Sequence, residues 1–558
     1  MPQVDTERGD RLARTALVVA MGLSAATILL LGRHLTFWSD EIDWLTAYGD
    51  FAIRDLLHPH GSHLIATTRL IYEGFPRIFG TSYLPFRILG IVCLQAGAVL
   101  TFILIRRRMG AVVAVFPAIV LLFFGSAQDM TMSPLGIPFT LSIALGLGAF
   151  ALVELNGFRT DLAAMALLVL AGLSHTFGTI VAVGVLVYLL VERSRRREVW
   201  IALVPLALWV AWWVWARQFD QGITESSNIL GAPFFVLKAA GAALQGAVGV
   251  PTGSTWIGDF GSSLARALFD LLALAGIVLL AFRLRRGPTG PWAWGYLATI
   301  VAFWVGIALS AGDGREPATP RYLFFGAIMI FLVVAELMRG KAIPVRFVRP
   351  LLALFAFSLV CNAGLLFNSI SSFNADAAAV RAELAAVGFD SDYLAPYVRL
   401  GDLDLPGDAQ VPSSPAAIAS FEEDVGSTGF TLDELRAQPE SIRLGTDLAI
   451  IRALKVAAVP LSPRGVSDDC RTYSPGDDGY ATFPLAGGAN AIRLRGDTGE
   501  SGATLSLGRY ADVASVPVGE LAEGRAVALI VPDDDLPQPW IGRAAGRIDV
   551  CGVGGNSG

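Results

Sequence analysis

The chain has 558 residues, of which 54% are hydrophobic and only 16% are charged, and its formal net charge is −6. Apolar runs of roughly 17 to 25 residues recur along its first two thirds, and at 1.5 Å per residue such runs can cross a hydrocarbon core of about 30 Å. Composition therefore argues against an ordinary soluble protein and predicts a polytopic α-helical membrane protein that is embedded in the lipid bilayer.

Eleven segments are predicted to span the membrane, of which the fifth is short. They are residues 15–32, 85–105, 111–127, 134–154, 162–175, 177–191, 199–216, 264–282, 292–311, 321–338 and 350–370. Arginines precede the first span, and arginines together with Lys341 occupy alternate loops, which marks those loops as cytoplasmic. Residues 1–14 are therefore predicted to be cytoplasmic, the first span is a retained anchor, and residues 15–370 form a transmembrane domain of the plasma (inner) membrane.

An odd number of spans places the C-terminal region on the extracytoplasmic side. Residues 371–558 hold 27 acidic and 14 basic residues, whereas the preceding residues hold 21 and 28. The basic residues are spread over several cytoplasmic loops, so anionic lipid headgroups explain them better than nucleic acid does. No nucleic-acid partner is predicted.

The first predicted outer loop, residues 33–84, opens with the run Trp38-Ser39-Asp40-Glu41-Ile42-Asp43-Trp44. If a helix begins after Ser39, Asp40 and Asp43 share one face, and Glu41 is turned away by about 100°. The two aspartates then point together at one site. The alternative is an acidic first turn that complements the dipole of a short helix.

All five histidines lie in predicted outer loops or at outer span ends: His34, His58, His60, His63 and His175. The triplet in His58-Pro59-His60-Gly61-Ser62-His63 suits metal binding or hydrogen bonds to a sugar acceptor or phosphate, although a polar interfacial loop is the alternative. Pro59 and Gly61 interrupt any helix, so the spacing matches no fixed zinc motif. His175 separates two spans and is predicted to donate to phosphate or sugar, or to be an internally satisfied interfacial residue.

Cations for a phosphate are sparse on the predicted outer side. The second long outer loop, residues 217–263, contains Lys238 in an apolar run that would lie along the membrane surface. Arg315 and Arg321 stand at the start of the tenth span, where a lipid phosphate would rest. Arg321 is the preferred phosphate contact, because a guanidinium binds two oxygens at once; an ordinary interface anchor is the alternative.

Beyond residue 370 the pattern changes. Residues 371–455 are predicted to be an extracytoplasmic linker with short helices, and residues 456–558, which alternate in short runs between Gly, Asp and Pro clusters, are predicted to be a β-sandwich. This β domain suits carbohydrate binding or a structural role. Cys470 and Cys551 are predicted to form a disulfide there, because the compartment is oxidising.

The acidic pair Asp40-Glu41 after a first span, the many later spans and the outer C-terminal domain together resemble the GT-C superfamily of integral-membrane glycosyltransferases. That superfamily includes protein O-mannosyltransferases, aminoarabinose transferases and actinobacterial arabinosyltransferases. The resemblance implies a polyprenyl-phosphate sugar donor and a general base in the first outer loop. The matching base here is Asp40, with Glu41 and Asp43 as competing choices.

The resemblance also implies a second acid at the next outer turn, where Asp129 lies, sometimes holding a divalent cation. Asp129 and Asp40 are therefore candidate ligands for Mg²⁺, Mn²⁺ or Ca²⁺, while an ordinary turn residue is the alternative for Asp129. The expected activity is inverting transfer of a hexose or pentose, such as mannose or arabinose, to a cell-envelope polysaccharide, glycolipid or protein. A transporter or flippase of a lipid-linked substrate and a non-catalytic cell-wall-binding protein are the alternatives.

Overall fold

The computed structural model describes residues 3–46, 53–219, 226–251, 258–286, 289–312, 315–341, 343–390, 413–462, 465–495, 502–534 and 536–553. The chain divides into two compact units. The first comprises Met1–His34, Phe51–Phe75 and Tyr83–Ser371, and the second comprises Leu35–Asp50, Pro76–Ser82 and Ser372–Gly558. The segment that carries the predicted catalytic acids therefore belongs to the same unit as the C-terminal region.

Helices occupy most of the chain up to residue 390. They are α1 (Gln3–Leu31), α2 (Asp40–Thr46), α3 (Ile53–Leu57), α4 (Ala66–Phe79), α5 (Leu84–Met109), α6 (Ala111–Leu122), α7 (Gln128–Met132), α8 (Ile137–Val153), α9 (Phe158–Ser174), α10 (Thr176–Val191), α11 (Trp200–Ala216), α12 (Ala232–Val248), α13 (Gly258–Arg286), α14 (Pro291–Leu309), α15 (Pro320–Leu337) and α16 (Val345–Asp390). In the first unit α5 packs against α6 and α8, α10 packs against α14, and α12 packs against α13 and α15.

Within the described residues, eight helical stretches are long and apolar enough to cross a membrane: Glu7–His34, Leu84–Met109, Pro134–Val153, Arg193–Phe219, Gly261–Arg286, Pro291–Leu309, Pro320–Leu337 and Arg346–Phe389. A ninth exists if Ala111–Leu122 and Gly125–Met132, bent by 44°, count as one span. The remaining two predicted spans coincide with α9 and α10, which have only 17 and 16 residues. By length and composition these helices are compatible with a polytopic membrane protein, while the number eleven stays a prediction.

Polar side chains inside the first unit bond to backbone groups that the helices leave open. Arg87 on α5 donates from Nη2 to the carbonyls of Ile28 and Leu29 at 2.6 and 2.8 Å, near the C-terminal end of α1. Asn362 on α16, fully buried, accepts from the backbone N–H of Ser126 at 3.1 Å and donates to the Gly246 carbonyl at 3.2 Å. These bonds matter because helix ends and breaks expose backbone groups for which an apolar medium provides no partner.

A buried charge network joins the ends of four helices. Arg108 of α5 is completely buried and forms ion pairs with Glu336 of α15 and with Glu154, which follows α8. It also donates to the hydroxyl of Tyr296 on α14 at 2.8 Å. Arg107, one residue earlier, pairs with Glu154 at 2.7 Å but keeps 35% of its side chain exposed.

Replacing these two neighbouring arginines should have very different effects on stability. Arg108→Met removes the fully buried partner of Glu154 and Glu336 and leaves them with the more exposed Arg107 and Arg339, so it should cost up to about 3–5 kcal/mol, whereas Arg107→Met removes an exposed pair worth about 0–1 kcal/mol. Equilibrium unfolding of the purified chain in detergent, followed by tryptophan fluorescence, measures both. Similar losses for the two variants would contradict a structural role specific to the buried pair.

The second unit combines helices with two antiparallel sheets. Its later helices are α17 (Pro415–Val425), α18 (Leu432–Arg436) and α19 (Glu440–Ala453). Its strands are β1 (Val459–Leu461), β2 (Val466–Tyr473), β3 (Tyr480–Leu485), β4 (Gly488–Arg495), β5 (Ala503–Gly508), β6 (Val516–Leu521), β7 (Ala526–Val531), β8 (Trp540–Ala545) and β9 (Arg547–Val553). The strand orders are β1-β7-β4-β9-β2 and β3-β8-β5-β6.

One hydrophobic core serves the sheets and the helices of this unit. Phe483, Leu505, Ile492 and Ile548 from the two sheets are buried in the same cluster as Ile450 of α19. The region assigned to a linker therefore contributes, in its described part, helices that share the core of the β domain. Helix α16 also continues through residue 370, where the transmembrane domain was predicted to end.

Two further contacts hold this unit together. Cys470 and Cys551 form the predicted disulfide, which joins directly opposed residues of β2 and β9. Asp447 of α19 is fully buried and accepts backbone N–H groups from Arg509, Tyr510 and Ala511 at 2.9 to 3.2 Å. Burial raises the pKa of Asp447 to about 6, against the opposing effect of these donors.

Candidate functional site

The predicted histidine cluster is a tight turn that sets two of its side chains together. His60 and His63 exchange both backbone hydrogen bonds, at 3.0 and 2.9 Å, across Gly61 and Ser62. Gly61 and Ser62 both have positive φ, of 51° and 68°, which is the pattern of a type I′ hairpin turn. Because directly paired residues project to the same side, the turn directs both imidazoles toward one place.

His175 lies where α9 ends and α10 begins. A Cβ at Gly178 would come within 2.2 Å of the Ala171 carbonyl carbon, so the two helices approach closely at this break. His63 reaches it: its Nδ1 is 2.9 Å from Thr176 Oγ1, and its ring centroid is 4.4 Å from that of His175. The turn and the helix break therefore bring together two histidines that are 112 positions apart in the sequence.

The hydrogen bonds of His175 leave one of its nitrogens open. The side chain is only 2% exposed, and Nδ1 accepts the backbone N–H of Phe177 at 3.3 Å. A neutral imidazole that accepts at Nδ1 carries its proton on Nε2. Nε2 is buried and has no hydrogen-bond partner among the described residues. An unmet buried donor costs about 1–3 kcal/mol, so this N–H is poised for an acceptor that a ligand would supply.

Two arginines surround the histidine pair. The charges of Arg315 and Arg321 act on both His63 and His175, and Arg315 Nη2 also approaches the Gly61 carbonyl at 3.4 Å. Arg321 is the second residue of α15, and its charge acts in turn on Asp129 of α7. The histidine–arginine cluster is defined here as His60, His63, His175, Arg315, Arg321 and Asp129.

Burial, followed by the charges of Arg315, His60 and Arg321, lowers the pKa of His63 to about 3. His63 is therefore neutral at physiological pH, and it can act as a hydrogen-bonding group without adding charge. The arginines supply the positive charge of the cluster.

An apolar cavity of about 440 Å³ adjoins this cluster along the chain. Its walls come from α9, α11 and the segments around Leu57 and Leu64, and include Gly172, Leu173, Trp209, Trp212 and Trp215. Leu64 directly follows His63, and Leu173 lies two residues before His175. The volume lies in the range of ligand pockets, and the lining suits hydrocarbon rather than a polar group.

Two predicted residues lie in other surroundings. The ring of His58 is 4.4 Å from that of Phe219, and its Nδ1 is 3.0 Å from the Pro59 carbonyl oxygen. Lys238 is exposed on α12, its ammonium is 4.5 Å from the Phe234 ring centroid, and its charge acts on Asp270 of α13. Neither has a described contact with the histidine–arginine cluster.

The three predicted acids lie on α2 in the second unit. This helix begins at Asp40, directly after Ser39, as the sequence predicts. Asp40 is exposed, Asp43 is half-buried and Glu41 is fully buried, which matches two aspartates on one face and a glutamate turned away. Near the ends of α2, the Trp38 ring is 5.8 Å from the Phe373 ring and Thr46 Oγ1 is 2.8 Å from Ser413 Oγ.

The proposed metal ligands Asp129 and Asp40 belong to different units. Within the described part of the chain, no group of three or more His, Cys, Asp or Glu side chains is arranged to hold a metal ion. Asp129 has Arg321 as its electrostatic neighbour instead. Metal binding by these aspartates stays a prediction.

Sequence reasoning missed two contributors to the site. Thr176, which follows His175 in the sequence, was given no role, yet its hydroxyl bonds to His63 Nδ1 at 2.9 Å. The tryptophans of the cavity lie three residues apart on α11, at 209, 212 and 215, a helical spacing that could have indicated one shared face.

Comparisons of the chain with known protein families, with curated proteins and with solved structures found no match.

The low pKa of His63 predicts an acid-sensitive fold. Between pH 6.5 and 3 the unfolded chain binds a proton at His63 that the folded chain does not bind, so stability should fall as pH is lowered, by up to about 1.4 kcal/mol per pH unit. His63→Asn should flatten this dependence. Thermal unfolding of the purified chain between pH 5 and 7 measures the slope. His34→Asn, at an exposed histidine, should keep the wild-type slope; an unchanged slope in His63→Asn would refute the assignment.

Proposed function

We propose that this protein is an inverting, GT-C-type glycosyltransferase that moves a sugar from a polyprenyl-phosphate donor to an extracytoplasmic cell-envelope acceptor. The open Nε2–H of His175 inside the histidine–arginine cluster is the observation that carries this proposal. A buried donor beside two guanidinium groups suits an anionic oxygen, and phosphate is the common biological group that needs several such donors.

The apolar cavity supports a lipid-linked donor rather than a soluble nucleotide sugar. Its residues adjoin His63 and His175 in the chain, so a ligand with a phosphate at the cluster would have a hydrocarbon-lined space nearby. An amphiphile that carries a phosphate fits this combination of surfaces. Helices that are long and apolar enough to cross a membrane support a donor that enters from a lipid bilayer.

Chemistry assigns separate roles to the acids and the cations. The acceptor hydroxyl attacks the anomeric carbon, a carboxylate takes its proton, and the bond from that carbon to the phosphate oxygen breaks with the electron pair leaving on the phosphate. A single displacement inverts the anomeric configuration. Asp40 is the proposed base because it is exposed whereas Glu41 is buried, and Arg315, Arg321 and His175 would stabilise the departing phosphate.

The proposed sidedness follows the arginine-rich loops: the N-terminus is cytoplasmic, and α2 and the β domain are extracytoplasmic. A transporter would instead need ionisable groups along a path through the spans. The cluster lies at helix ends and breaks, with His175 between α9 and α10 and Arg321 in the first turn of α15. Asp270 is an acid in the middle of α13. The positive charge of Lys238 on α12 acts on it, so it is an acid with a nearby counter-charge.

Removing the base should abolish transfer and spare donor binding. Asp40→Asn should lower the turnover of a polyprenyl-phosphate sugar by about 10²–10⁴-fold, because it keeps the side-chain shape and cannot accept the proton. The measurement uses purified chain, a panel of mannosyl, arabinosyl and aminoarabinosyl polyprenyl phosphates, and separate assays of binding and product.

Asp43→Asn and Glu41→Gln are the matched comparisons, since each removes one charge from the same helix. If Asp43→Asn loses the activity and Asp40→Asn keeps it, Asp43 is the base. If the purified chain neither binds nor turns over any of these donors, the transferase function is refuted. Retention of full activity by all three variants would refute a base on α2.

Filling the cavity should weaken lipid binding selectively. A Cβ at Gly172 meets only Thr179 Oγ1, at 3.5 Å, so Gly172→Leu is tolerated locally and projects bulk into the cavity. It should raise the Kd for farnesyl phosphate about tenfold or more and leave inorganic phosphate binding unchanged. Gly276→Leu on α13, where a Cβ has no neighbour within 4 Å, is the control. Equal effects of the two substitutions would argue against a hydrocarbon site.

A further inference from the structure

The solvent face of the five-stranded sheet carries an arrangement of arginines that the proposed transfer reaction does not use. Ile492, Leu494 and Ile548 point into the core, so Arg493 and Arg495 of β4 and Arg547 and Asp549 of β9 project to the opposite side. Arg493 is directly opposite Asp549, and Arg495 is directly opposite Arg547. Three positive charges and one negative charge thus lie in two neighbouring cross-strand pairs on the same face of the sheet.

Asp549 lies beneath the arginines. Its carboxylate is completely buried although it is on the solvent face, because Arg493 Nη2 donates to it at 3.2 Å and Arg495 Nε also pairs with it. The hydroxyl of Thr472 on β2 donates to the other oxygen at 2.7 Å. One carboxylate therefore fixes two guanidinium groups. Two residues further along β9, the Cys470–Cys551 disulfide holds β2 against β9.

The remaining donors of these arginines are unused within the described residues. Arg495 pairs with Asp549 through Nε, its two terminal nitrogens make no hydrogen bond with a described residue, and its side chain is 57% exposed. Arg547 is exposed and has no ion pair in the described part of the chain. Like charges directly opposite each other on neighbouring strands destabilise a sheet unless something neutralises them. An anion between Arg495 and Arg547 would remove this repulsion and could accept two parallel N–H bonds.

We propose that the face formed by Arg493, Arg495 and Arg547 binds an anionic substituent of a glycan, such as the carboxylate of a uronic acid. Asp549 and Thr472 hold the guanidinium groups in place, and the ligand carboxylate lies between Arg495 and Arg547. This site is separate from the proposed transfer reaction and does not depend on it.

Charge distribution favours a glycan substituent over an anionic membrane surface. The region from residue 371 onward has 27 acidic and 14 basic residues, so an extended negative surface would repel it as a whole. A single carboxylate interacts with the nearest cations only, because charges more than about 8–10 Å away are screened at physiological ionic strength. The site is therefore suited to a small, local anion.

The test is titration of the full chain, held in nanodiscs of neutral phosphatidylcholine, with trigalacturonic acid in a calorimeter. We expect saturable binding that galactotriose, its neutral counterpart, does not reproduce. Arg547→Gln should weaken the binding about tenfold, the size expected for one charged hydrogen bond. Arg471→Gln is the matched control, because Arg471 is an exposed arginine of the same sheet that is opposite Val550 rather than Asp549.

Three results would overturn the proposal. One is equal weakening by Arg547→Gln and Arg471→Gln, which would indicate general attraction rather than a site. Another is equal binding of trigalacturonic acid and galactotriose, which would show that the carboxylate is irrelevant. The third is tighter binding of monomeric short-chain phosphatidylglycerol than of trigalacturonic acid, which would assign the face to a lipid headgroup. Activity of the transfer site enters none of these measurements.

Discussion

Among tightly packed apolar helices, each polar group must find its partner within the protein, because hydrocarbon provides none. The first unit obeys this constraint at several separate places. Arg87 bonds the carbonyls near the end of α1, Asn362 bridges the chain at Ser126 to α12, and Arg108 has two carboxylates and a tyrosine hydroxyl. These contacts satisfy polar groups at helix ends and breaks.

His175 is one of several described residues of the first unit with a buried polar atom that has no hydrogen-bond partner, and it differs from the others in belonging to the histidine–arginine cluster. Its Nδ1 serves the backbone of α10, and its Nε2 has no described partner although the ring is buried. Arginines stand nearby, but they are donors and cannot accept its proton. A buried donor surrounded by other donors is unfavourable without a ligand and favourable with an anion, which is why the cluster supports phosphate recognition better than a structural role.

The second unit follows a different physical logic. Its core is ordinary hydrophobic packing between two sheets and several helices, and its charged residues act at the surface or as isolated buried pairs. Asp447 anchors the segment after β5 to α19, and Asp549 anchors arginines on the sheet surface. The same unit includes α2 with the proposed base, whereas the histidine–arginine cluster belongs to the first unit.

The amino-acid sequence by itself determined the helical and β regions, the pairing of Cys470 with Cys551, and the division of Asp40 and Asp43 from Glu41. The helical and β regions and the division of the acids follow from local periodicity and from the 100° step of a helix, which are visible in short stretches, whereas the pairing of two cysteines 81 residues apart follows from the predicted oxidising compartment. Helices α9 and α10, of 17 and 16 residues, leave the span count undecided, because length alone does not separate a short span from a packed helix.

Only the tertiary structure decided which polar residues meet. His63 and His175 were both candidates, but their contact depends on a type I′ turn and on a close helix break that lie more than a hundred residues apart in the sequence. His58 is an imidazole like His63 and His175, and Lys238 is a cation like Arg315, yet both lie elsewhere, His58 beside Phe219 and Lys238 beside Phe234. Chemical type can be read from the chain, whereas proximity arises from long-range packing that no local pattern encodes.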